Sequence, residues 1–245
     1  MHQLASDAVP RRREPRVLVG WLIGAAAVGA FGGAIWLGVT QGNAALALFL
    51  ATGALIALGV VWIELRLQTA KELALVATLG GLAAASRVLF HPLPDVLPMT
   101  ALVIACGAAL GPGAGASVGA LGALVSNFAL GQGLWTPWQM LGWGLCGAAG
   151  GLLRPLVRRR FGFALVGALL AFGFGAIQNL QYMLLLLQQP NAQVGNAFLL
   201  SYGGALSFDV THAVTTGAVA VAAGPALIRM LDRFARKLET EVIWT

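Results

Sequence analysis

A helix needs about 20 consecutive apolar residues to cross the roughly 30 Å hydrocarbon core of a bilayer, and stretches approaching that length recur from one end of this sequence to the other. They lie at 17–39, 44–63, 73–90, 97–110, 114–130, 136–153, 161–187 and 198–228. In lipid a chain must satisfy its own backbone hydrogen bonds, so such segments fold as helices. Composition agrees: of 245 residues, 58% are apolar and 10% charged, against about a quarter charged in a soluble domain. A soluble enzyme, a nucleic-acid binder and a disulfide-stapled secreted domain are thereby excluded. The expected fold class is all-α, a polytopic membrane helix bundle. The segment 97–110 is too short to cross upright, so it must lie in a thinned or protein-lined region.

Basic residues are retained on the cytoplasmic side of a membrane. Arg11, Arg12, Arg13 and Arg16 precede the first segment, and Arg66 and Lys71 separate the second from the third. Arg154, Arg158, Arg159 and Arg160 separate the sixth from the seventh, while Arg229, Arg233, Arg236 and Lys237 follow the eighth. If every segment crosses once, all of these fall on one side. The opposite loops, around Thr40 to Asn43, Gly131 to Thr136 and Gln188 to Asn196, hold no Lys or Arg. Both termini are therefore expected to be cytoplasmic. Residues 1–16 read as a basic tail rather than a cleaved leader, and 231–245 as a basic amphipathic tail lying on anionic lipid.

Small residues recur at helical spacing: Gly115 and Gly119, Gly147 and Gly151, and in the third segment Ala70, Ala74 and Thr78 beside Ala77, Gly81 and Ala85. Helices in lipid associate largely through close backbone approach over such residues. Most of them suit internal packing, but the two faces of the third segment also suit docking of a second membrane protein. Polar residues at membrane depth must face protein, water or ligand. Arg87, His91 and Asp95, then Asn127, Gln132, Trp135, Trp138 and Gln139, then Gln178, Asn179, Gln181 and Tyr182, and finally Tyr202, Asp209 and His212 all project to the outer side. One-sided polarity predicts a pocket opening outward rather than a pore.

No enzyme signature is present. Ser207, Asp209 and His212 crowd onto one helical turn, where they cannot take the separate roles of a triad. No metal ligand set and no cofactor motif is read, and Cys106 and Cys146 are expected to be small packing residues.

Four strings resemble a known family in order and spacing. They are KELALVATLGGLAAASR at Lys71 to Arg87 followed by Pro92, Pro94 and Pro98, GAALGPGAGASVGALG at Gly107 to Gly122, GQGLWTPWQMLGWGLCGAAGG at Gly131 to Gly151, and DVTHAVTTGAVAVAAGPALIRMLDR at Asp209 to Arg233. Over 71–236 they resemble the substrate-binding subunits, or S components, of energy-coupling factor (ECF) transporters. The resemblance implies a six-helix core at 71–230, in the plasma membrane of a prokaryote, that captures a vitamin or related micronutrient from outside. It further implies association with a transmembrane coupling subunit and two ATPases in an ABC-type importer. The family pocket maps onto His91, Asn127, Trp135, Trp138, Gln139, Gln178, Asn179, Tyr182, Asp209 and His212. Its docking face maps onto Ala70, Ala74 and Thr78 or onto Ala77, Gly81 and Ala85. The pair at 17–66 is additional to the six-helix pattern and reads as a lipid-facing appendage or docking element. Tryptophans and amides in the pocket suit a flat heteroaromatic or amide-bearing compound, a cobalamin or its precursor among the B-group vitamins. The alternative from the residues alone is a self-sufficient proton-coupled carrier of a small polar solute, with Asp209 and His212 as its coupling pair.

Overall fold

The structure, a computed structural model, describes residues 14–40, 43–66 and 70–239. The first arginine cluster, Arg11 to Arg13, and the last residues of the predicted C-terminal tail lie outside these. A helix occupies each of the eight apolar segments. The order is α1 (Glu14–Thr40), α2 (Ala44–Arg66), α3 (Ala70–Phe90), α4 (Pro98–Leu110), α5 (Pro112–Leu130), α6 (Trp135–Leu152), the single turn α7 (Arg154–Val157), α8 (Arg160–Leu186), the short α9 (Val194–Phe198), a π-turn at Leu199–Gly203, and α10 (Gly204–Glu239). The described chain is thus an all-α bundle. Among the described residues, four stretches have the length and apolarity to cross a membrane: Leu73–Phe90, Pro112–Leu130, Arg160–Leu186 and Val194–Arg236. Ala25–Leu37, Ala44–Gly59 and Pro98–Leu110 are shorter apolar helices.

The short helix α4 is the axis of the bundle. Its 13 residues reach only about 20 Å at 1.5 Å per residue, and Met99 to Ala108 are buried without interruption. The neighbouring helices α3, α5, α6 and α10 enclose it, so protein supplies the surroundings that its length denies it in lipid. The outer surface is inverted relative to a soluble protein, with Phe49, Leu89, Phe128 and Phe161 all about three-quarters exposed, as suits side chains that meet acyl chains.

Glycine sets the closest approaches. A Cβ on Gly107 of α4 would overlap the carbonyl of Gly147 on α6, and one on Gly147 would overlap the carbonyl of Gly115 on α5. A Cβ on Gly115 would in turn lie 2.5 Å from the Cα of Gly107, so three backbones meet at one point. The connection from α4 to α5 is the single residue Gly111, at φ 96° and ψ 162°, a region that only glycine adopts readily. Its N–H returns to the Gly107 carbonyl at 2.9 Å, and Pro112 then starts α5 where no N–H is needed.

The α1–α2 hairpin leans on α6 and α8 through Phe31, Ile35, Leu48, Ala51 and Leu55, which pack on Trp138 and Leu184. At the opposite end from the α3–α4 loop, Arg158 grips Asp232 with both nitrogens, at 2.7 and 3.0 Å. Helix α10 continues unbroken past the expected boundary at residue 231, with Ile228 and Leu231 in the core and Phe234 exposed. The helical stripe read as a lipid-lying tail therefore begins as an internal packing face.

Gly147→Val would drive a branched side chain into the α5 backbone, so it is expected to cost about 3 kcal/mol or more, read as a large fall in melting temperature in detergent. Gly173→Ala, where an added Cβ meets nothing within 4 Å, is expected to be neutral or stabilising by up to about 1 kcal/mol.

Candidate functional site

Polar side chains from six helices gather at the end of the bundle that carries the α3–α4, α5–α6 and α8–α9 connections. Arg87 lies in the last turn of α3, where its guanidinium meets the ends of α5 and α6. Nη1 donates to Ser126 Oγ and Asn127 Oδ1, both at 2.6 Å, and Nη2 donates to Gln139 Oε1 at 3.3 Å. Asn127 is almost wholly buried and spends its amide hydrogens on Gln139 Oε1 at 2.8 Å and Thr136 Oγ1 at 2.9 Å. Thr136 passes the chain on to Gln132 at 2.8 Å, and Gln132 donates to the Leu124 carbonyl at 3.1 Å. The network therefore locks the turn whose first residue, Gly131, has φ 106°.

Behind the arginine stands an aromatic wall. Its guanidinium carbon sits 4.7 Å above the Trp143 ring, a cation–π position. The Trp143 ring lies 4.2 Å from that of Phe174, which meets His212 edge-on at 5.5 Å. Thr100 on α4 joins the two halves: Trp143 Nε1 donates to its hydroxyl at 3.0 Å, and the same oxygen lies 2.8 Å from His212 Nε2. On the far side, Asn179 of α8 donates to Asp209 of α10 at 2.9 Å. The carboxylate rests on Gly175, where any Cβ would collide with it.

Six of the residues singled out in the sequence, Asn127, Gln139, Gln178, Asn179, Asp209 and His212, thus share this region. Gln178 is placed by Gly142, its Nε2 lying 3.4 Å from where a Cβ there would be. Trp138 turns the other way. It is fully buried against the α1–α2 hairpin, with Nε1 donating to Thr52 at 3.2 Å and its ring 5.2 Å from that of Phe31. His91, Trp135 and Tyr182 are exposed at the same end of the bundle, and Trp135 folds back to the Gly131 carbonyl at 3.3 Å. Asp209 and His212, one turn apart, do not satisfy each other, and Asp209 forms no ion pair with Arg87. Arg158 and Asp232 form a salt bridge at the other end of the bundle.

Arg87, Trp143, Phe174 and Thr100 belong to the site although the pocket mapped from the family resemblance omits them; Arg87 stood only in the wider outward polar set. For Arg87 a signal was present, because it alone of the fifteen Lys and Arg lies outside the four basic clusters. For Trp143 the signal was its position one turn after Gln139 on the same helical face. Nothing marked Phe174 and Thr100, which look like ordinary core residues.

On the expected docking helix, Ala70 opens α3, and Ala74, Ala77, Thr78 and Ala85 are exposed. Gly81 is half-buried with open space where a Cβ would stand. No protein-family model, curated protein or solved structure matches the chain.

Asn127→Ala removes an acceptor from Arg87 and a donor from Gln139, so it is expected to lower stability by about 1–3 kcal/mol, measured by thermal unfolding in detergent. A second expectation concerns Asp95, in the α3–α4 loop outside the helices. Burial first, and then the charge of Asp209, push its carboxyl above the ordinary value. An acid raised in this way costs stability only when ionised, so the cost is absent below the ordinary carboxylate range and grows as pH rises through the raised value. Asp95 has φ 54°, which asparagine also tolerates. Asp95→Asn should therefore match the parent at low pH and exceed its melting temperature increasingly toward neutral pH.

Proposed function

We propose that this chain is the substrate-specific subunit of an ECF-type ABC importer, capturing a vitamin or related micronutrient from outside and delivering it through a partner coupling subunit and two ATPases. The observation that carries the reading is the one-ended site itself. Arg87, Asn127, Gln139, Trp143, Gln178 and His212 meet at the end whose loops lack basic residues, and the opposite end carries Arg154, Arg158, Arg159 and Arg160. By the retention of basic residues in the cytoplasm, the site faces outward. In this reading α3, α4, α5, α6, α8 and α10 form the six-helix core, and both termini are cytoplasmic.

Two further features support it. The small face of α3 at Ala74, Ala77, Thr78 and Ala85 is exposed, as a helix that docks on a second membrane helix requires. The α1–α2 hairpin lies on α6 and α8, away from that face. The hairpin therefore leaves the docking helix clear, and the Trp138–Thr52 hydrogen bond ties it to the core.

The test is mass spectrometry of small molecules released from the full chain purified in mild detergent. A stoichiometric vitamin-like compound is expected, with uptake of that compound requiring co-expressed coupling and ATPase subunits. Ala77→Trp and Ala74→Trp should leave the bound compound in place and abolish uptake. Transport by the purified chain alone in liposomes, driven by a proton gradient, would overturn this reading in favour of a secondary carrier.

A further inference from the structure

We infer that the site takes a small molecule bearing a carboxylate or an equivalent planar acceptor group, gripped by Arg87, Gln178 and Gln181. The inference rests on the capture reading above and extends it to the chemistry of the substrate.

Three sets of donors at the site lack acceptors. The first is Arg87. A guanidinium has five N–H donors, and this one spends two on Nη1 and one on Nη2, all toward neutral oxygens. That leaves Nε–H and one Nη2 hydrogen, a combination that matches the two oxygens of a carboxylate. Its charge has no carboxylate partner, its contacts being Ser126, Asn127, Gln139 and the Trp143 ring. The π face of Trp143 and neutral amides stabilise the cation without neutralising it.

The second and third sets are the side-chain amides of Gln178 and Gln181. Both Nε2 atoms are buried and have no hydrogen-bond partner, and Gln181 is only 6% exposed. Buried amide donors left unpaired are rare and costly. Two of them three residues apart share one face of α8, and they point to a group that arrives from outside the chain. Gln178 lies over Gly142 of α6, the residue immediately before Trp143. Gln139, which accepts from Arg87, lies one turn before Gly142 on α6, so the guanidinium and Gln178 meet neighbouring turns of one helix.

An ionised carboxylate offers about four lone-pair positions on two oxygens, enough for the guanidinium edge and both amides. Its charge also neutralises the buried cation. A cationic ligand would leave every one of these donors unpaired and would add repulsion from Arg87. Asp209 is the site's one acid at helix depth, and it is already engaged by Asn179 on the other side of α8.

The test is isothermal titration of the detergent-purified full chain with two matched pairs, nicotinate against nicotinamide and biotin against its methyl ester, together with mass spectrometry of released compounds. Expected is at least tenfold tighter binding of an acid than of its neutral partner, or a released compound that carries a carboxylate. Gln178→Met and Gln181→Met, similar in shape, should weaken that binding at least tenfold while leaving the unliganded melting temperature unchanged or raised, because each removes an unpaired donor. Gln181→Glu should abolish it by setting like charges together. A neutral partner that binds as tightly as its acid, or a released compound without such a group, overturns the inference and leaves the capture reading standing. A fall in unliganded melting temperature in both methionine variants also overturns it, since the amides would then be structural. If neither pair binds and nothing is released, the capture reading fails and the inference with it.

Discussion

The bundle depends on three backbones meeting without side chains between them. Where Gly107, Gly115 and Gly147 converge, α4, α5 and α6 approach more closely than any Cβ would permit. In a membrane there is no water to expel between helices, so dispersion across such close contacts carries much of the association. Drawing three helices together at this point encloses α4, a helix too short to face lipid along its own length. The close approach of α5 and α6 continues toward the Arg87 end, where a Cβ on Gly119 would overlap the Trp143 carbonyl. The single-residue turn at Gly111 belongs to the same device. It folds α5 directly back along α4, so the close contact begins within one turn of the connection.

The polar end follows a second constraint. A guanidinium at membrane depth must be surrounded by acceptors or aromatic faces, and Arg87 has both in Asn127, Ser126, Gln139 and Trp143. Those partners in turn fix other groups. Asn127 holds Thr136 and so the α5–α6 turn, while Trp143 holds Thr100, which holds His212. The result couples α3, α4, α5, α6 and α10 through side chains with few remaining degrees of freedom. A rigid frame of this kind would preorganise the proposed recognition site, and it explains why unpaired amides on α8 can persist: the surrounding helices are held by contacts that do not involve them.

The two N-terminal helices are joined to this frame on its other flank. Trp138 lies on the same helix as Gln139 but on the adjacent face, so it reaches Thr52 and Phe31 rather than the Arg87 network. Two neighbouring residues of α6 thus serve different neighbours, one the Arg87 network and one the hairpin. The surface of α1 keeps Leu22, Val28 and Trp36 exposed, which fits a helix whose outer side meets acyl chains.

Much of this was legible in the residues. Apolar run length set the helices, because only an uninterrupted helix satisfies a backbone in lipid, and observed ends lie close to the limits of the apolar runs except at α10, which runs on to Glu239. Glycine spacing marked α5 and α6 as close-packing elements, and polar residues at depth marked the Arg87 end, because neither pattern has another use in an apolar chain. What the sequence could not supply was the rotation of each helix about its axis. That rotation, set by packing against partners distant in the chain, sends Gln139 inward and Trp138 toward α2. It separates Asp209 from His212 by giving each a different partner, and it leaves His91, Trp135 and Tyr182 at the surface. It also brings in Thr100 and Phe174, whose residue types are those of any core. The sequence by itself determined which segments are helices and which end is polar; the tertiary structure decided which polar side chains meet, because a few tens of degrees of helix rotation exchanges one neighbour for another without changing local preference.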